Sequence, residues 1–307
     1  MNFQQLRIVR EAVRQDFNLT EVANALFTSQ PGVSKHIKDL EEEIGVELFI
    51  RRGKRLLGLT PPGKELVPVV ERILRDAQNL KNIADQYASR EQGNLTIATT
   101  HTQARYALPE VIKQFKERYP KVHLTLHQGG PTEIAEMLIA GTADVGIATE
   151  GLHLNPALAA FSSYTWHHGV IVPHDHPLTQ LKKLTLAAVA EYPIISYNEG
   201  YTGRAQVDRA FQKADLHPDF VLSAIDADVI KTYVEVGLGI GVIASMAFNP
   251  AKDTGLKLLN ADHLFEENTT YLAVHRGTFL REYAHQFALM LAPEIDESAL
   301  RAAAESA

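Results

Sequence analysis

Apolar residues recur at helical spacing through the first quarter of the chain. Phe3, Leu6, Val9 and Val13 form one stripe, which predicts a helix over 3–15. A second helix follows in LTEVANALF, with Asn18 or Thr20 as its cap and Val22, Ala23 and Leu26 on its buried side. A third begins in TSQPGVSKHIKDLEEEIG. Thr28 or Ser29 caps it, and Pro31 suits a first turn that needs no backbone donor. Val33, Ile37, Leu40 and Ile44 line one face, and Gly45 ends it. VELFIRRGKRLLGLT reads as two short strands around Gly53, a wing. Pro61-Pro62-Gly63 predicts a firm break. A long amphipathic helix is then expected from about 63 to 88, with Leu66, Val70, Ile73, Leu74, Leu80, Ile83 and Tyr87 among its apolar positions. A helix of that length between domains is a candidate dimer seam.

After Gly93 strand-like and helix-like segments alternate. NLTIATT, VHLTLHQG and DVGIATE read as strands, with ARYALPEVIKQFKERYP and PTEIAEMLIAG as the helices between them. HGVIVP, PIISYN, FVLSAI, IGVIAS and TTYLAVHRG continue the strands. This alternation predicts an α/β region with largely parallel pairing, in two halves joined near 161–166 and again near 264–269. The expected division is a winged helix-turn-helix over 1–60 and a linker helix over 61–90. One lobe covers 91–163 with 268–295, a second covers 164–267, and 296–307 is expected as a loosely ordered Ala-rich tail.

Composition narrows the classes. With 307 residues and 45% hydrophobic content the chain has ordinary cores in two or three domains. No apolar run approaches a membrane span, and MNFQQLRIVREAVRQDF lacks the form of a secretory signal. A cytoplasmic location is therefore expected, with no membrane partner. The absence of cysteine excludes disulfides and thiolate metal sites. The net charge of −7 argues at first against nucleic acid. Its distribution changes that: residues 1–65 hold 10 Lys+Arg against 9 Asp+Glu, and the remainder holds 20 against 28. Within the first part, GluGluGlu at 41–43 is expected to follow the candidate recognition helix and ArgArgGlyLysArg at 51–55 to sit in a loop, a placement that would give one basic face.

A helix-turn-helix reads base edges with the N-terminal side chains of its second helix. Those are Ser29, Gln30, Pro31, Ser34, Lys35 and Lys38 here, with Gln30 suited to adenine and Lys35 to guanine. Thr28, Ser34, Arg51, Arg52, Lys54 and Arg55 suit phosphates, which position a protein without reading sequence. The competing reading is three packed helices with solvated charges. In the two-lobed part, ligands are expected in the crevice at strand C-terminal ends, where helix N-termini offer free N–H groups. Thr99-Thr100 ends one strand and Thr102-Gln103 starts the next helix. Thr149 ends another strand, and Tyr201-Thr202-Gly203 opens a helix in the second lobe. Three such clusters suit a small oxyanion or a carboxylate-bearing ligand. His167-His168 and His174-Asp175-His176 lack a spaced third ligand and read as structural or surface residues, so no metal is expected. Gly237-Leu-Gly-Ile-Gly follows a helix and precedes a strand, the reverse of a dinucleotide loop, and reads as a tight turn. Lys231, in the preceding helix, reads as a solvated charge. No catalytic constellation is evident, so an enzyme is not expected.

The string LTEVANALFTSQPGVSKHIKDLEEEIGVELFIRRGKRLLGLTPPGKEL resembles the LysR-type transcriptional regulators, with TSQPGVSKHIKDLE, GVELF and LTPPG as its marks. The resemblance spans almost the whole chain. It implies a winged helix, a linker helix and a two-lobed effector domain like that of periplasmic binding proteins. IATTHTQARYALP, HQGGPTEIAEML, ATEGLHL, TGRAQVD and DADVIKTYVEVGLGIGVIASMA are similar to the CysB and Cbl branch. That branch controls sulfur assimilation, so the implied function is a regulator, expected to be an activator, of cysteine biosynthesis or sulfate and sulfonate use. The resemblance also implies anion binding by Thr100, Thr102, Gln103, Thr149 and Thr202. Trp166 resembles a pocket-lining position, and packing at the hinge is its alternative. No cofactor is expected. The implied effectors are sulfate, N-acetylserine, O-acetylserine or adenosine phosphosulfate. The implied partners are promoter DNA, RNA polymerase and further copies of the chain in a homodimer or homotetramer. The alternatives are an anion-binding two-lobed protein, or a regulator of a different pathway in the same family.

Overall fold

A computed structural model describes residues 1–53, 55–88 and 91–305. The chain forms two compact units, Met1–Ala84 and Asp85–Ala307.

The first unit opens with α1 (Phe3–Arg14), α2 (Leu19–Ala25) and α3 (Gln30–Ile44). Asn2 caps α1 in a reciprocal pair with Gln5, Asn18 caps α2 and Ser29 caps α3. Each supplies a side-chain acceptor to N–H groups that have no partner inside the helix. Gly45 stops α3 at φ 75°, a left-handed conformation open to glycine. Ile8, Val9, Val22, Val33, Ile37 and Leu40 close the core between the three helices. The wing is an antiparallel pair, β1 (Phe49–Arg52) and β2 (Arg55–Leu59). The last helix, α4, spans Pro61–Ala88. Its start corrects the expected break at Pro61-Pro62-Gly63, because both prolines lie in the first turn of the helix, where no backbone donor is needed. Thr60 Oγ1 accepts from Gly63 N at 3.0 Å and donates to Glu47 O. A Cβ on Gly63 would lie 2.1 Å from Leu48 O, so this corner admits only glycine. Val67, Val70 and Leu74 seat α4 on the same core.

The second unit contains two five-stranded sheets. The first lobe takes β3 (Gln92–Thr99), α5 (Leu108–Arg118), β4 (Lys121–Gln128), α6 (Pro131–Ala140), β5 (Val145–Ala148) and β6 (Leu158–Trp166). A wider π-helical turn at Gln103–Ala107 leads into α5. The second lobe takes β7 (His168–Pro173), α7 (Leu186–Ala190), β8 (Ile194–Tyr197), α8 (Arg204–Lys213), β9 (Phe220–Ala224), α9 (Ala227–Glu235), β10 (Ile240–Ala244) and β11 (Leu256–Asn260). The chain then returns as β12 (Asn268–His275), α10 (Glu282–Leu291) and α11 (Glu297–Glu305). Strand order is β4-β3-β5-β12-β6 in one sheet and β11-β7-β10-β8-β9 in the other. β4, β3 and β5 run parallel, as do β10, β8 and β9, while β12, β6, β7 and β11 pair antiparallel.

Three further expectations are corrected by the structure. Residues 161–166 are the second half of β6 and not the crossing itself; the chain passes between sheets at His167. The tail is not loose, since α11 buries Leu300 and Ala303 in the first-lobe core beside Phe287 and Leu291. Lys231 is not solvated. It is 8% exposed, its Nζ pairs with Asp228 at 3.0 Å and Asp253 at 3.1 Å, and it also donates to Ala247 O.

Candidate functional site

The N-terminal half of α3 carries the candidate DNA-reading side chains. Thr28, Ser29, Pro31, Lys35 and Lys38 are exposed, and Gln30 and Ser34 are half-buried. Gln30 Nε2 donates to Ser34 Oγ at 3.1 Å, one turn on, which holds the amide along the helix. Ser29 Oγ accepts from Gly32 N as the cap, so its acceptor side is already engaged. Lys38 leans on Glu42 at 3.4 Å in a solvated pair of small worth. In the wing, Arg52 and Arg55 are exposed. Lys54 lies outside the described residues. Arg51 differs from its neighbours: its Nη2 lies 2.6 Å from Glu41 Oε2. Glu41, 7% exposed, also accepts from Leu48 N at 2.8 Å and Phe49 N at 3.1 Å. One carboxylate thus fastens the wing to α3. Nothing in the string marks which of the three consecutive glutamates faces inward, and Glu42 and Glu43 are exposed.

The three threonine clusters meet in the second unit. The parallel register Thr99↔Ile147 brings the ends of β3 and β5 to one edge, so Thr100 and Thr102 stand beside the stretch carrying Thr149. Thr100 O accepts from Ala104 N at 3.0 Å, which makes Thr100 the start of the helical stretch. Thr102 and Thr202 lie in opposite lobes with their hydroxyl oxygens 3.4 Å apart. Thr100, Thr102 and Thr202 are buried and Thr149 is half-buried. Gln103 is fully buried and held at both ends: its Nε2 donates to Thr270 Oγ1 at 3.2 Å, and its Oε1 accepts from Tyr164 OH. Trp166 is 6% exposed and donates its Nε1–H to the same Thr270 Oγ1 at 3.1 Å. Its ring packs edge-on against His168 at the crossing between sheets.

Behind the cleft, His168 takes the structural role expected of it, joined to Asn268 and Glu150, which the sequence left unmarked. His168 has no exposed surface, and its Nε2–H donates to Thr202 O at 3.1 Å while Nδ1 accepts from Asn268 Nδ2 at 3.2 Å. Burial pushes the His168 pKa down to about 4, against the bond to Thr202, with His167 adding to the fall. Thr202 takes φ 45° and Gly203 φ 72°, and a Cβ on Gly203 would stand 2.2 Å from Asn268 Oδ1. Gly203 N in turn donates to Glu150 Oε1 across the cleft. Burial raises the Glu150 pKa to about 7, partly offset by the bond from Gly203 N and by the nearby backbone N–H groups of Glu150 and Thr202. Arg105 and Tyr106 reach from the first lobe to Asp228 in the second, at 2.5 and 2.9 Å, and Asp228 also holds Lys231. The site is thus rich in neutral hydroxyls and backbone donors and poor in cations.

Residues 3–64 match the family described as bacterial regulatory helix-turn-helix protein, lysR family, and residues 88–295 match the LysR substrate binding domain. Among curated proteins, the chain is 58% identical over 298 residues to the HTH-type transcriptional regulator SsuR of Burkholderia cenocepacia, covering 97% of each. It is 52% identical over 310 residues to the HTH-type transcriptional regulator CysB of the same organism, covering 100% of this chain and 99% of that one. Among solved structures, the cofactor-binding domain of the Cbl transcriptional regulator superposes with a TM-score of 0.68 at 49% identity, over 70% of this chain and 95% of that one.

Proposed function

The chain belongs to the LysR family of helix-turn-helix transcriptional regulators, and from that premise we propose that it controls sulfur-assimilation genes in response to a small anion held between its two effector lobes. The observation that carries the anion reading is the Thr102–Thr202 approach across the cleft, joined to Thr100, Gln103 and Thr149 at strand ends. Neutral hydroxyls and helix N-termini can hold an oxyanion without a cationic side chain. The sulfur pathway rests on the resemblance to the CysB and Cbl regulators. Sulfate, N-acetylserine, O-acetylserine and adenosine phosphosulfate are the candidate effectors. Trp166 closes the site from the hinge side.

In this reading residues 1–60 read promoter DNA, with Gln30 and Lys35 on base edges and Thr28, Ser34, Arg52 and Arg55 on phosphates. Residues 61–90 pair copies of the chain, supported by Leu80, Ile83 and Tyr87, which leave an exposed apolar stripe along α4. Residues 91–166 with 268–305 form one sensing lobe and 168–267 the other. Dimers or tetramers act in the cytoplasm as activators that engage RNA polymerase. The anion works by population shift: it favours the arrangement of the oligomer to which it binds better.

Calorimetry of the full chain with the four effectors, run beside operator footprinting, tests both ends. Thr100→Val and Thr202→Val should weaken effector binding and spare DNA affinity, while Gln30→Ala and Lys35→Ala should do the reverse. Each base contact is worth roughly 1–3 kcal/mol of discrimination. No heat from any effector refutes the sulfur reading, and unchanged footprints refute the recognition-helix assignment.

A further inference from the structure

Glu150 is an acidic side chain of the cleft that a plain anion site does not need. Glu150 follows Thr149 at the end of β5 and reaches the opposite lobe, where its Oε1 accepts from Gly203 N. Its second oxygen, Oε2, is buried and has no partner. No cationic side chain among the described residues is paired with it, and no charged neighbour contributes to its raised pKa. A buried acceptor left open in this way is costly unless something donates to it. The same carboxylate meets the Thr202–Gly203 turn and follows Thr149 in the chain, so a ligand held by those residues would stand close to the open acceptor.

We propose that Glu150 is the specificity-determining residue of this cleft: its Oε2 takes a hydrogen bond from the ligand, so the site favours an oxyanion that also carries an N–H or O–H donor over a bare dianion. This rests on the anion reading above and refines it. The threonines and N–H groups recognise the anionic head, which many metabolites share. Glu150 tests for what is attached to that head. In its ionised form, dominant above pH 7, it penalises a dianion by charge repulsion and rewards a nearby ammonium, amide or hydroxyl. A buried polar group left unpaired by the wrong ligand is an effective means of rejection.

Two probes with the same head isolate the effect: ethanesulfonate, and 2-aminoethanesulfonate, which adds one ammonium. Isothermal titration of the full chain should show the amino form binding about tenfold tighter, the change expected for one hydrogen bond to a buried carboxylate oxygen. In Glu150→Gln, where an amide donor replaces the open oxygen, that preference should vanish and inorganic sulfate should bind tighter than to wild type. The wild-type comparison stands even if the variant folds poorly. Equal affinities for the two sulfonates overturn the proposal. So does a Glu150→Gln protein that loses affinity for both probes and for sulfate by the same factor, since that marks a strut between the lobes. If sulfate and both sulfonates fail to bind wild type, the anion reading itself falls and this proposal falls with it.

Discussion

His168 shows how one side chain sets the shape of the cleft and leaves a measurable trace. It holds the Thr202 carbonyl and the Asn268 amide as a neutral ring with no solvent contact. Its pKa is about 4 in the folded protein, against about 6.5 for a solvated imidazole. Between those values the unfolded chain takes up a proton that the folded chain refuses, so stability falls as pH drops through that window and is fully present above it. The full gap corresponds to about 3 kcal/mol. Urea denaturation of wild type and His168→Asn at pH 7.5 and 4.5 measures it. The stability advantage of wild type should shrink by about 2–3 kcal/mol at the lower pH, and a constant difference would show that the ring is not buried neutral. The five threonine and glutamine positions in the cleft were legible as residue types at strand–helix junctions. His168 was legible as a structural residue but its partners were not, and Asn268, Thr270 and Glu150 went unmarked, because their roles come from pairing across 34 to 167 positions of sequence.

At the scale of elements, capping chemistry made most helices readable. Asn18, Ser29 and Gly45 stand at helix ends because short polar side chains accept from orphan N–H groups and glycine tolerates a left-handed turn. The LTPPG segment had a physical cause that the string conceals: Thr60 caps α4, the prolines fill its first turn, and Gly63 passes against Leu48 O. β6 and β11 escaped notice. β6 mixes Ala, Ser and aromatic residues without alternation, with β12 paired along its edge and α11 packed against it, and such a pattern does not separate strand from loop. α11 escaped for a related reason. Its Ala-rich sequence resembles a flexible tail, yet Leu300 is fully buried in the first-lobe core. Leu300→Ala should therefore lower stability by about 2–5 kcal/mol in thermal or denaturant unfolding. A loss below about 0.5 kcal/mol, typical of a surface change, would place α11 outside the core.

The whole molecule has a net charge of −7, and its DNA affinity must come from local placement. Arg52, Arg55, Lys35 and Lys38 are exposed, whereas Arg51 is drawn to Glu41. Each phosphate contact releases counterions, so the logarithm of affinity should fall with the logarithm of salt by about 0.9 per contact. Binding titrations from low to moderate salt should show a steep fall in wild type. Arg52→Ala should flatten the slope by about 1, while Arg51→Ala should change it less and loosen the wing instead. A salt-independent affinity would remove the basic face from the mechanism.

Periodicity, caps and local motifs are short-range, and by themselves they determined the helix-turn-helix, the wing, the linker helix and the alternating α/β order that follows. They also marked the threonines, since a strand end followed by a helix start is written in neighbouring residues. Only the tertiary structure decided which groups face one another. It selected Glu41 from three consecutive glutamates, buried Lys231 between Asp228 and Asp253, turned α11 into core, and set Glu150 of one lobe against Gly203 of the other. Those outcomes depend on desolvation and on pairing between distant segments, and neither is present in the chain until it closes on itself.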